Sequence, residues 1–198
     1  MLLYKTYDWD RLEEFKKIVL DVLPKEYLDD KKRIEVIGRK NGIMSIPEAK
    51  RKILTSNIFL EFLNKFDLSW EMIYTVQFSF SCVDEDYLIH TDNTRIDPKH
   101  TISINIPIFG TEGTYVMFWE PLTESQYKKD SYTLKNGRTV IFHTWGDYSE
   151  CKFIDKVERN EVCVVRTDIP HSVSNDKQFS LSLAVRVKKE FVKTIEEL

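Results

Sequence analysis

Apolar positions recur with a helical period in the first third of the chain and with a period of two after it. Trp9, Leu12, Phe15, Ile18, Val19 and Val22 fall at i, i+3, i+4 spacing, with Asp8 placed to cap the run and Pro24 to end it. A polar stretch, 29–42, follows, with a short strand expected at 34–37. Ser45 and Pro47 mark a second helical start. The stripe then runs through Ile53, Leu54, Ile58, Phe59, Phe62, Leu63 and Phe66 to about Asp67, and it reads as core packing.

From Ser69 the alternation predicts strands at 72–81, 87–93, 101–108, 114–119, 139–145, 151–157, 162–166, 171–174 and 179–187. Turns are expected at Asp84-Glu85-Asp86, 110–113, Asn136-Gly137 and Asn175-Asp176. Loops are expected at 93–98 and 121–129, and a short amphipathic helix at 189–198. The expected fold is therefore mainly β, a jelly roll (double-stranded β-helix, cupin-like) with N-terminal helices packed on one sheet. One domain spans 1–198: a helical part at 1–68, the roll at 69–188 and the terminal helix at 189–198.

Three strands divide their faces unusually. Met72, Tyr74, Val76, Phe78 and Phe80 oppose Thr75, Gln77 and Ser79; Ile102, Ile104 and Ile106 oppose Ser103 and Asn105; Phe179, Leu181 and Leu183 oppose Ser180, Ser182 and Ala184. An antiparallel sheet with one wet face explains such a division in general. These polar faces lack the Lys and Glu of a solvated surface, however, and the helices need the apolar faces. The expectation is that the small neutral faces turn inward and line a hollow.

Composition narrows the function. Apolar residues make up 42% of the 198 residues and aromatic residues 13%, which suits a packed globular chain. The net charge of −3 leaves no nucleic-acid footprint, and Lys31-Lys32-Arg33 and Lys50-Arg51-Lys52 read as solvated faces. No apolar run reaches membrane-spanning length, and the start lacks a signal peptide's apolar core. Cys82, Cys151 and Cys163 are odd in number and lack metal-type spacing, so a reducing, cytoplasmic setting is expected. The sequence carries no signal of oligomeric state.

Candidate chemistry centres on His90-Thr91-Asp92. In a strand, positions i and i+2 share a face, so the imidazole and the carboxylate project together. They supply two of the three ligands of the facial triad that holds non-haem Fe(II) with coordination positions left open. The other histidines are His100, His143 and His171. Of these, His100 and His143 read as internally satisfied or surface residues. Trp70, Trp119 and Trp145 belong to the core or to a pocket wall.

Further motifs are Asn105-Ile106-Pro107-Ile108, Gly113-Thr114-Tyr115, the segment Asp168-Ile169-Pro170-His171-Ser172-Val173-Ser174-Asn175, and Ser182-Leu183-Ala184-Val185-Arg186. In this order after His-x-Asp, they give the last two thirds of the chain a resemblance to the Fe(II)/2-oxoglutarate-dependent oxygenases. Within that family it resembles small, uncharacterised members from marine phages and bacteria. The resemblance implies that His90, Asp92 and His171 bind Fe(II). It also implies that 2-oxoglutarate is the cosubstrate, and that an iron-oxo species abstracts hydrogen from a small-molecule or peptidyl substrate, which is then hydroxylated.

The chain departs from the family at one point. The family's arginine for the far carboxylate of 2-oxoglutarate sits nine to eleven residues past the second histidine, and here those positions are Ser180, Leu181 and Ser182. Arg186, on the same strand face, is the expected cation, with Ser182, Asn105 and Tyr115 as further cosubstrate contacts. Thr75 and Gln77 are other hydrogen-bonding candidates; Arg95, Lys99, Arg138 and Arg166 are other cations. Segments 93–99, 121–135 and 146–149 are expected to shape the mouth. Two alternatives stand beside this reading: a non-catalytic jelly-roll binding or structural module, and a cupin-type metalloenzyme that does not use 2-oxoglutarate.

Overall fold

The computed structural model describes residues 2–29, 41–44, 46–82, 88–92, 100–123, 127–133, 139–145, 148–175 and 179–191. Twelve strands lie among them: β1 (Tyr4–Tyr7), β2 (Asn41–Met44), β3 (Ile73–Ser81), β4 (Ile89–Asp92), β5 (His100–Phe109), β6 (Thr114–Pro121), β7 (Tyr127–Thr133), β8 (Thr139–Trp145), β9 (Cys151–Glu158), β10 (Val162–Arg166), β11 (His171–Asn175) and β12 (Ser180–Lys188). They form two six-stranded sheets, ordered β1-β10-β5-β12-β3-β2 and β7-β8-β4-β11-β6-β9, and every pairing is antiparallel. The chain changes sheet at each step from β3 to β6, and again from β9 to β12. That alternation is the double-stranded β-helix, so the fold class matches the expectation.

Among the described residues three α-helices precede the roll: α1 (Leu12–Val22), α2 (Pro47–Leu54) and α3 (Asn57–Lys65). Pro47 opens α2, where its missing N–H costs nothing. The stripe expected to run on from Ile53 is cut at Ser56, which caps α3 by accepting from the Phe59 N–H at 3.4 Å. Phe15 and Val19 of α1, Ile53 of α2 and Phe59, Phe62 and Leu63 of α3 join Val76, Phe78, Ile104, Ile106, Leu183 and Val185 in one core cluster. The helices thus cover the first sheet, on the face the sequence assigns them. Aromatic edges lock this layer, with Phe62 set 4.9 Å from Trp9 and 4.7 Å from Phe66 between ring centroids.

One face assignment changes. Thr75 pairs with Arg186 but Ile73 pairs with Val187, so Tyr74 is the extra residue of a β-bulge. Ile73 is therefore the buried residue next to Met72, and Tyr74 is exposed. The bulge keeps Val187 in the core while Arg186 stays on the opposite face.

Other differences are local. β1 was not expected, because its two outer residues alone are half-buried. β2 occupies the end of the polar stretch, and β7 the end of the expected 121–129 loop, where it pairs along β8. The expected strand at 34–37, the turns at 84–86 and 136–137, and most of the 189–198 helix lie outside the described residues. At 110–113, Gly110 and Gly113 have φ of 60° and 70°, as the predicted turn requires. No helix among the described residues is long and apolar enough to cross a membrane.

Candidate metal centre

The register of the second sheet builds the centre. β4 and β11 are neighbours, and His90 and His171 stand directly opposite each other. Facing residues of paired strands have Cβ atoms about 5 Å apart, and the two imidazole centroids here are 4.5 Å apart. Asp92 follows His90 by two residues, on the same face. Its backbone N–H donates to the Thr167 carbonyl at 2.9 Å, which fixes the strand end beside the segment that leads to His171.

One ligand atom from each of His90, Asp92 and His171 lies within 4.8 Å of the other two. His90 Nε2 is 3.9 Å from Asp92 Oδ1. Each histidine turns its Nδ1 to a backbone carbonyl two residues earlier: Leu88 for His90 and Ile169 for His171, both at 2.8 Å. A carbonyl accepts only, so Nδ1 carries the hydrogen and Nε2 carries the lone pair. That is the tethering that orients an imidazole toward a metal. Burial drives the His171 pKa down to about 4, helped by the charge of His90, so its ring is neutral and ready to ligate at neutral pH. Asp92 divides its two oxygens, with Oδ1 toward His90 and Oδ2 in an ion pair with Arg186 Nη1. Two imidazoles and one oriented carboxylate suit Fe(II) in a facial arrangement, so the residues present fit the group.

These side chains line a cavity of about 100 Å³ between the sheets, whose wall includes Ser79, Ser103, Asn105, Val116, Arg159, Val173, Ala184 and Arg186. The small neutral faces do turn inward. Arg186 lies at the metal end, where the Gln77 amide oxygen, with the amide turned to meet it, accepts from Nε at 2.8 Å and Nη2 at 3.1 Å. Asn105 lines the cavity and accepts from Ser103 Oγ at 3.0 Å. Beyond Ser182, Asn175 Nδ2 reaches across to Ser81 Oγ at 3.1 Å, and Ser81 Oγ meets Ser180 Oγ at 2.7 Å, which ties the two sheets together.

Tyr115 does not join this group. Strand alternation sends Val116 into the cavity and Tyr115 to the outer face, where Lys156 Nζ sits 4.2 Å from its ring centroid. Arg166 is engaged by Asp168 through two hydrogen bonds, of 2.8 and 2.6 Å. His143 is buried, as is Trp145. Trp70 is exposed, and Trp119 packs beside Tyr148 and Phe153. Arg95, Lys99 and Arg138 lie outside the described residues.

Arg159 is not among the residues that the sequence motifs single out. It lies in the turn after β9, is 3% exposed, and donates from Nη2 to Ser182 Oγ at 2.7 Å. The signal was there to use. Val157 turns inward, and two residues on Arg159 shares its parity.

Fold and centre together define a jelly-roll protein with a candidate two-histidine, one-carboxylate metal site. No profile of a known protein family matches the chain, and no curated protein sequence does. Among solved structures, it is similar to a prolyl-4-hydroxylase from Pseudomonas putida, 13% identical, with a TM-score of 0.45 over 93% of this chain and 90% of that one. An oxidoreductase of the 2OG-Fe(II) oxygenase family from Burkholderia pseudomallei is also 13% identical, with a TM-score of 0.42 over 93% of each chain. AviO1 from Streptomyces viridochromogenes is 9% identical, with a TM-score of 0.44 over 94% of this chain and 90% of its own. At scores and identities this low, the likeness establishes nothing about substrate or mechanism.

Proposed function

We propose that the chain is an oxidoreductase, an Fe(II)- and 2-oxoglutarate-dependent dioxygenase that hydroxylates a small-molecule or peptidyl substrate in a reducing, cytoplasmic setting. The observation that supports this most is the convergence of His90, Asp92 and His171 within 4.8 Å, with both Nδ1 atoms tied to carbonyls. His90, Asp92 and His171 would hold Fe(II), which when bound with a 2-oxo acid supplies oxidation of C–H bonds by dioxygen.

The chain's own groups do the rest. The Leu88 and Ile169 carbonyls keep both rings aimed inward. Arg186 holds Asp92 by one oxygen and leaves the other facing His90. Val116, Val165, Val173 and Ala184 form apolar wall that limits water around the reacting groups. Asn105 and Ser103 offer hydrogen bonds to an acid in the cavity.

The test is anaerobic addition of Fe(II) and 2-oxoglutarate. The expected result is a weak visible charge-transfer band that His171→Ala abolishes, followed by succinate formation on admitting oxygen. Oxygen uptake indifferent to 2-oxoglutarate would overturn the keto-acid reading in favour of a cupin-type enzyme. Failure to retain any metal would overturn it in favour of a binding module.

A further inference from the structure

Arg186 crosses the hollow. It stands on β12 in the first sheet, and its Nη1 meets Oδ2 of Asp92 on β4 in the second. Both side chains are largely buried. The guanidinium is also held from behind. Gln77 lies one diagonal step away on β3, opposite Ala184, and its amide oxygen accepts from Nε and Nη2. The bulge at Tyr74 sets the phase that keeps Arg186 on the cavity face while Val187 stays in the core. Three nitrogens of one planar group are therefore engaged, two by an anchor and one by a candidate metal ligand.

This arrangement governs how the carboxylate can meet a cation. A carboxylate ligates through one oxygen or through both. Using both at Asp92 would break a buried ion pair, and separating Arg186 from this partner is costly. A divalent ion therefore meets Oδ1, the oxygen on the His90 side, with His90 Nε2 3.9 Å away. The coordination position that a second carboxylate oxygen would take stays open.

Resting on the metal ligands proposed above, and on no particular cosubstrate, we infer that Arg186 is the positioning residue of Asp92. It restricts the carboxylate to one metal-binding oxygen and so keeps a coordination position for a further ligand. Gln77 aims it.

The experiment is titration with Mn(II), read by electron paramagnetic resonance in water enriched in the magnetic oxygen isotope, which broadens the Mn(II) lines according to the number of bound waters. Arg186→Met should bind Mn(II) within about ten-fold of wild type and carry about one fewer water. Arg186→Lys, which keeps a cation against Oδ2, should restore the wild-type count. A merely structural role would show as weaker Mn(II) binding with the water count kept; that result overturns the inference and leaves the metal ligands in place. Wild type that takes up no Mn(II) overturns both. If Arg186→Met does not fold, the infrared difference spectrum of wild type on adding Mn(II) decides the matter. Widely separated carboxylate stretches that Asp92→Asn lacks support a single metal-bound oxygen, and closely spaced ones overturn it.

Discussion

Acidifying the metal-free protein should remove stability through one identifiable side chain. His171 is 6% exposed, and its pKa is lowered from 6.5 to about 4, mainly because burial disfavours the charged ring. Above the unfolded value the ring is neutral in both states and adds no pH dependence. Between the two values the unfolded chain takes up a proton that the folded chain refuses, so stability falls as pH falls. Below the folded value both states are protonated and the slope ends. The gap of about two and a half pH units, at roughly 1.4 kcal/mol each, amounts to about 3 kcal/mol. That is a large fraction of an ordinary domain's stability. Carboxylates elsewhere add their own pH dependence, so the useful quantity is a difference. Urea unfolding of wild type and His171→Asn, at about pH 7.5 and about pH 4.5, gives it. The wild type's margin over the variant should shrink by about 2.5 kcal/mol on acidification. A margin that stays constant would refute the claim that a neutral imidazole is buried here.

Two further outcomes follow from the two faces of the first sheet and from the metal ligands. Phe62 is fully buried in the helix layer. Phe62→Ala should therefore cost about 3–5 kcal/mol in urea unfolding while Mn(II) affinity stays within a few-fold; a large loss of metal affinity would show the layers to be coupled. Asp92→Asn should lower Mn(II) affinity by about 100-fold or more in a competition titration, since it removes the one carboxylate ligand found among the described residues; unchanged affinity would remove Asp92 from the ligand set.

Much of this arrangement is legible in the residues themselves. Alternation alone puts His90 beside Asp92, sends Ser103 and Asn105 away from Ile102 and Ile104, and turns the apolar face toward the helices. What it cannot register is an extra residue. The bulge at Tyr74 shifts the face of Ile73 and leaves no mark in composition. The capping break at Ser56 is hidden because the apolar stripe stays in phase across it. Pairing between strands distant in the chain is also invisible locally, since His171 faces His90 only through the β4–β11 register. Tyr115 and Arg159 went astray for one reason. Motif alone misplaces Tyr115 and does not single out Arg159, and the parity of their neighbours, Val116 and Val157, carries the better information.

The first sheet is a wall with two sides, and β12 is its clearest strand. Leu181, Leu183, Val185 and Val187 answer to the helices, while Ser180, Ser182, Ala184 and Arg186 lie on the other face, the last two lining the cavity. Even- and odd-numbered positions of one nine-residue strand can therefore drift under separate constraints. A lineage can retune what the hollow accepts by changing every second codon, and the packing that keeps the protein folded is spared.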